Sequence, residues 1–128
     1  MRVLVCGGRF FVDWKFLNYW LTNRFYQFKE TSDNFGDWSF GDLTIIQGCA
    51  KGADTLARRW AADNGIPFED YPADWDKYGK RAGFIRNKQM LDEGKPDLVV
   101  AFPGGKGTEM MCRIAKEAGV PVEYACAN

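Results

Sequence analysis

Four segments of this chain place glycines, cations and short polar side chains at spacings suited to holding an anion. In the last of them, Pro103-Gly104-Gly105-Lys106-Gly107-Thr108, three glycines fall within four positions, between a strongly apolar run and a helical pattern. Glycine lets the backbone turn its amides toward a ligand, and a helix starting at such a loop adds the positive end of its dipole. The chemistry that follows is phosphate binding. The Thr108 hydroxyl fits two tasks, capping the helix or donating to phosphate, and Glu109 stands at the helix start.

The other three segments are less specific singly. Gly7-Gly8-Arg9 follows a short apolar run and pairs a sharp backbone turn with a guanidinium, although a tight turn with a solvated arginine explains it equally well. Gln47-Gly48-Cys49-Ala50-Lys51-Gly52-Ala53-Asp54 joins a strand pattern to a helix pattern, so its amides and the helix dipole would face a ligand. It lacks the Gly-Lys-Ser/Thr ending of a P-loop, and the chain has no G-x-G-x-x-G fingerprint. Asp54 either caps this helix, the more ordinary role, or grips a ribose hydroxyl. The third segment runs from Pro72 through Asp74, Trp75, Asp76, Tyr78 and Arg81 to Arg86, Asn87 and Met90. On a helix, Arg86, Asn87 and Met90 share a face. Arginine offers bidentate contacts to phosphate, asparagine can read an amide or base edge, and Trp75 or Tyr78 can stack on a base. A solvated basic helix with core aromatics is the competing explanation.

Histidine is absent, which removes Ser-His-Asp and Cys-His nucleophile activation and leaves acid–base work to carboxylates, lysine, tyrosine or cysteine. Cys6, Cys49, Cys112 and Cys126 show no paired ligand spacing, so buried thiols are expected, with no metal, disulfide or cofactor. Lysine plus arginine equals aspartate plus glutamate at 17 each, which argues against a broad nucleic-acid footprint. No apolar run approaches the ~20 residues that span a bilayer, and the first is too short for a signal-peptide core. The expectation is a cytoplasmic protein without a membrane partner.

The elements that must position these loops are legible as alternation. Residues 2–6, 43–47, 67–71, 97–102 and 121–124 read as strands, and helices are expected between them. The clearest spans 53–64, with Ala53, Leu56, Ala57, Trp60 and Ala61 in one stripe and Gly65 then Pro67 as its stop. Another ends at Ala118, with Met111, Ile114, Ala115 and Ala118 on one face. A long aromatic helix follows Asp13 as N-cap, its core stripe being Phe16, Leu17, Trp20, Leu21, Phe25 and Phe28. Residues 29–42 read as a long connection whose Phe35, Trp38 and Phe40 pin it down. With 128 residues and 46% apolar composition, one α/β domain over 1–128 is expected, a doubly wound, mainly parallel five-stranded sheet with helices on both faces. Ligands of such sheets bind beyond the carboxyl ends of the strands, where strand order reverses.

Taken together, Gly48 through Asp54, Pro72-Ala73-Asp74-Trp75, Arg86-Asn87-Lys88-Gln89-Met90 and Phe102 through Thr108 resemble the YspA-like branch of the SLOG superfamily. That superfamily unites Rossmann-like domains related to the DNA-processing protein Smf and to the LOG phosphoribohydrolases. The resemblance implies a nucleotide site formed by Arg9, Gly48, Arg86, Asn87, Gly104, Gly105, Gly107 and Thr108; Gly7, Gly8, Lys51, Gly52, Asp54, Asp74, Trp75, Arg81, Pro103 and Lys106 complete the candidate set. LOG enzymes release a base from a nucleoside monophosphate with an arginine, to which Arg86 is similar, and a glutamate two residues after the loop threonine. That position here is Met110, and Glu109 sits one residue early, turned by about 100° on a helix.

Three functions follow. A sensor or sequestering protein for a nucleotide, such as an ADP-ribose derivative, needs the anion loops and no acid. An N-glycosidic hydrolase needs Arg86 plus a carboxylate, Glu109 or a substitute among Asp54, Asp74 and Asp76. Single-stranded DNA binding through Lys77, Lys80, Arg81, Arg86 and Lys88 ranks last on charge. LOG relatives commonly dimerise, which leaves a homodimer open.

Overall fold

The computed structural model describes residues 1–31 and 38–126. In chain order the elements are β1 (Arg2–Cys6), α1 (Trp14–Arg24), β2 (Lys29–Thr31), β3 (Trp38–Phe40), β4 (Thr44–Gln47), α2 (Ala53–Asp63), β5 (Phe68–Asp70), α3 (Trp75–Tyr78), α4 (Ala82–Gly94), β6 (Leu98–Ala101), α5 (Lys106–Glu117) and β7 (Val122–Tyr124). Short 3-10 turns cover Tyr26–Phe28 and Gly79–Arg81.

Successive side chains of a strand face opposite sides, and both sides of β1 are apolar. Val3 and Val5 join one core cluster and Leu4 and Cys6 the other, as a strand buried on both faces requires. Five strands form one sheet in the order β5-β4-β1-β6-β7, and every pairing in it is parallel. The first core is closed by α1 and α2 through Leu17, Leu21, Ala57 and Trp60. The second is closed by α4 and α5 through Met90, Leu91, Met111 and Ala115. The architecture is therefore a Rossmann-like, doubly wound α/β fold. From β1 the chain builds outward to β4 and β5, then crosses back to β6 and β7, so strand order reverses beside β1.

Asp13 caps α1 as expected, accepting from the Phe16 amide at 3.1 Å. The helix is shorter than its aromatic spacing predicts. Phe25 ends it with a non-helical backbone (φ −108°, ψ 18°), and its ring packs 6.4 Å from that of Trp60. Residues 29–42 are not a plain connection either: β2 and β3 pair antiparallel, with Lys29 opposite Phe40. Phe40 is buried 5.4 Å from the Trp60 ring and ties this hairpin to α2. Phe35 and the side chain of Trp38 lie outside the described residues. On α5 the buried stripe is Met111, Cys112 and Ala115, while Ala118, expected in it, is exposed at the C-cap. Cys6 and Cys112 are buried, but Cys49 and Cys126 are exposed. Among the described residues, no helix is long and apolar enough to cross a membrane.

Candidate functional site

At the carboxyl edge of the sheet, the loops after β1 and β6 are locked together where strand order reverses. Gly8 donates its amide to the Pro103 carbonyl at 2.8 Å, and its own carbonyl accepts from Ala53 at the start of α2 at 3.2 Å. Close approach explains the glycines. A Cβ on Gly7 would fall 2.5 Å from that of Ala53, and one on Gly104 would meet Thr108 Oγ1 and lie 2.6 Å from the Gly8 nitrogen. Gly52, at φ +85°, would drive a Cβ to 2.7 Å from the Arg9 carbonyl carbon. Three loops thus form one floor.

Above this floor opens a cleft of about 850 Å³. Thirteen of the anticipated residues line it: Gly7, Gly8, Arg9, Asp54, Trp75, Arg86, Asn87, Pro103, Gly104, Gly105, Lys106, Gly107 and Thr108. Gly48, Lys51, Gly52, Asp74, Arg81 and Glu109 do not. Asp74 instead caps α3, accepting from the Lys77 amide at 3.1 Å. Not anticipated were Phe10, Phe11 and Phe84, which also border the cleft together with Lys80, expected only as a DNA-contacting cation. For Phe10 and Phe11 one signal was available, an aromatic doublet directly after a glycine turn; Phe84 lies seven residues before the buried Leu91, on the same helical face, and so reads as core in the sequence.

The two glycine loops that precede helices behave differently. In the loop before α2, Cys49 N–H donates to Gln47 Oε1 at 2.7 Å, Ala50 N–H to Asp54 Oδ2 at 3.3 Å, and Ala53 N–H to Gly8. Its amides are largely occupied by the protein itself, so this loop is a brace and not an open anion cradle. Asp54 is not the N-cap; Gly52 holds that position, and the Asp54 carboxylate supports the preceding loop. The start of α5 is the open one. Its N-cap, Gly105, provides no side-chain hydrogen bond, Thr108 lies inside the first turn without capping, and added Cβ atoms on Gly105 or Gly107 would meet nothing within 4 Å. First-turn helix amides lack intrahelical acceptors, and the residues that carry them here, Lys106, Gly107 and Thr108, line the cleft.

A chain of side-chain bonds ties the walls together. Arg86 donates through Nη1 to the Gly48 carbonyl and through Nε to Asn87 Oδ1 at 3.0 Å. Asn87 donates through Nδ2 to the Gly107 carbonyl at 3.2 Å and contacts the Met110 sulfur at 3.7 Å. Asn87 is buried with both ends of its amide engaged, so it is a tie between α4 and α5 and not a reader of bases. Asp54 is 6% exposed on the cleft floor; burial pushes its carboxyl up to about 6, against the opposing pull of Arg86 and the backbone amides of Ala50 and Gly48.

Glu109 faces away. It lines a neighbouring cavity of about 430 Å³, with Cys112, Lys116 and Tyr124, which shares Pro103, Gly104 and Thr108 with the cleft, while Met110 turns its sulfur toward Asn87. The one-residue offset places the available carboxylate outside the cleft.

Comparison with known proteins shows the family. Residues 1–78 match the YspA, cpYpsA-related SLOG family. The chain belongs to that family. It is also similar to the Gene 61 protein of Mycobacterium phage D29, at 36% identity over 129 aligned residues that cover 94% of this chain and 93% of the relative. No solved structure matches it. The family match ends at Tyr78, so α4 and the α5 loop, which supply Arg86 and the open amides, lie beyond it.

Proposed function

We propose that the cleft binds a nucleotide or nucleotide-derived ligand, such as an ADP-ribose derivative, and that the protein acts in the cytoplasm as a sensor or sequestering protein. The observation that carries this reading is the uncapped start of α5. It borders a cleft of about 850 Å³, and a Cβ added at Gly105 or Gly107 would meet nothing within 4 Å. A phosphate seated there accepts from the α5 amides and the Thr108 hydroxyl, with Arg9 and Lys106 supplying positive charge. The Asp54 carboxylate on the floor suits a ribose hydroxyl. Met110 in place of an acid favours retention of the ligand over its cleavage.

A second reading, N-glycosidic hydrolysis, draws on one observation. Asp54 is a buried cleft carboxyl whose proton affinity lies nearer neutrality than an ordinary aspartate's, as a general acid or base requires. Arg86 would orient the phosphate or ribose.

Calorimetric titration with ADP-ribose tests the primary reading. Saturable binding is expected, weakened at least about tenfold by Gly105→Val, whose side chain enters the space a phosphate would occupy. Equal affinity in the two proteins would remove the α5 loop from the site.

A further inference from the structure

Three aromatic side chains on the cleft rim are left to solvent by the fold. Phe10 is 84% exposed, Trp75 59% and Phe84 52%. Such exposure contributes nothing to the core, and isolated exposed aromatics need no explanation, but these three border one cleft. They also come from different layers. Phe10 is carried by the loop that feeds α1, on one side of the sheet, whereas Trp75 and Phe84 stand at the starts of α3 and α4 on the other. The glycine loops and the start of α5 line the same cleft.

Cations accompany the rings along the cleft. The Arg9 guanidinium sits 5.3 Å from the Phe10 ring centroid, and Lys80, in the turn between α3 and α4, also borders the cleft. Paired cations and rings favour electron-rich, anion-bearing planar ligands. A protein partner would need a contiguous patch of roughly 800 Å², whereas these rings are separated by a polar floor. At about 850 Å³, the cleft lies in the upper part of the roughly 300–1,000 Å³ range of small-molecule sites, leaving room for more than one ring system.

We propose that the ligand carries two aromatic ring systems joined through phosphate, one stacked on Phe10, the other on Trp75 and Phe84, with the phosphate bridge on the Gly104–Gly107 loop. This inference rests on the nucleotide reading above and narrows it to two-base ligands.

The test is calorimetric titration of the wild type, Phe10→Ser and Phe84→Ser with ADP-ribose, which has one base, and with diadenosine diphosphate, which has two on the same bridge. The wild type is expected to bind the two-base compound at least about tenfold more tightly, the effect of one additional stacked base. Each variant should shrink that preference to less than about threefold, because only one full stacking platform is then left for either compound. Equal wild-type affinity for the two compounds, or a preference that survives both substitutions, would overturn the two-platform arrangement and leave nucleotide binding standing. Failure of both compounds to bind would overturn the nucleotide reading and this inference together. Light scattering on the same samples completes the test: a change in oligomeric state in Phe10→Ser would show that the rim contacts a second copy of the chain and would overturn the proposal.

Discussion

The guanidinium of Arg86 donates to the carbonyl of Gly48, so the first turns of α4 are fastened to the loop that leads into α2. A Cβ on Gly48 would lie 2.8 Å from Arg86 Cζ, which makes the glycine a condition of the contact. Lysine has one ammonium where arginine has a fork, and it cannot serve Gly48 and Asn87 from one fixed plane. Arg86→Lys should therefore lower stability by about 1 kcal/mol, the net worth of a hydrogen bond, and weaken ligand binding as well. Urea denaturation with a parallel titration reads both; an unchanged midpoint would show that the tie contributes nothing.

Asp54 predicts a pH dependence with a definite sign. Its folded-state value, about 6, lies above the ordinary 3.8, so the folded protein holds this proton more tightly than the unfolded chain. The associated stability is fully present below the lower value and is lost as pH rises through the upper one. Arg86 opposes the shift from α4, and the thiols of Cys6 on β1 and Cys49 beyond β4 lie within its electrostatic reach. Asp54→Asn removes the titration. Relative to wild type, the variant should gain stability between about pH 5 and about pH 8, by an amount on the order of 1–3 kcal/mol. Urea midpoints at the two pH values measure it, and a constant difference would contradict the buried-carboxylate assignment.

Gly104 and Gly105 are neighbours with opposite roles. Alanine at 104 would press into Thr108 and the Gly8 amide, so Gly104→Ala should destabilise the fold by roughly 1–3 kcal/mol, as overpacking does. Alanine at 105 meets nothing and should leave the melting temperature nearly unchanged. Thermal melts of the two variants separate scaffold from site; equal losses would place Gly105 in the scaffold too.

Met110 occupies the position at which the LOG-like arrangement carries its acid, and its sulfur faces Asn87 beside the cleft. If the absence of that carboxylate is what limits cleavage, Met110→Glu should raise release of base from a nucleoside monophosphate by a factor on the order of 10², the lower end of general acid–base catalysis. Chromatography of the free base follows the gain. No gain, with binding intact, would show that position 110 does not reach the glycosidic bond.

The strands and the four loops were legible because their signals are local. Short β-branched runs stopped by glycine and proline, such as Leu98 to Ala101 before Pro103, report burial on both faces directly. What the chain conceals is which loop remains open. The segments ending at Ala53 and at Lys106 look alike in composition, yet only the first is closed, by Gln47, Asp54 and the Gly8 carbonyl 45 positions away from Ala53. The β2–β3 pair was hidden for a related reason: each strand is three residues long, and its main support is the other strand and Phe40 on Trp60. Phe10 and Phe84 are not legible as site residues in the sequence because an aromatic residue ordinarily belongs to the core, and only the placed loop and helix show them facing solvent.

The central claim is that this cleft holds an intact nucleotide-like ligand. The most direct measurement incubates purified protein with nucleoside monophosphates, NAD and ADP-ribose, separates it from free ligand, and identifies by chromatography what is retained and what base is released. One intact nucleotide should be retained by the wild type and lost from Gly105→Val; folded wild-type protein that retains none and releases no base would rule nucleotide binding out.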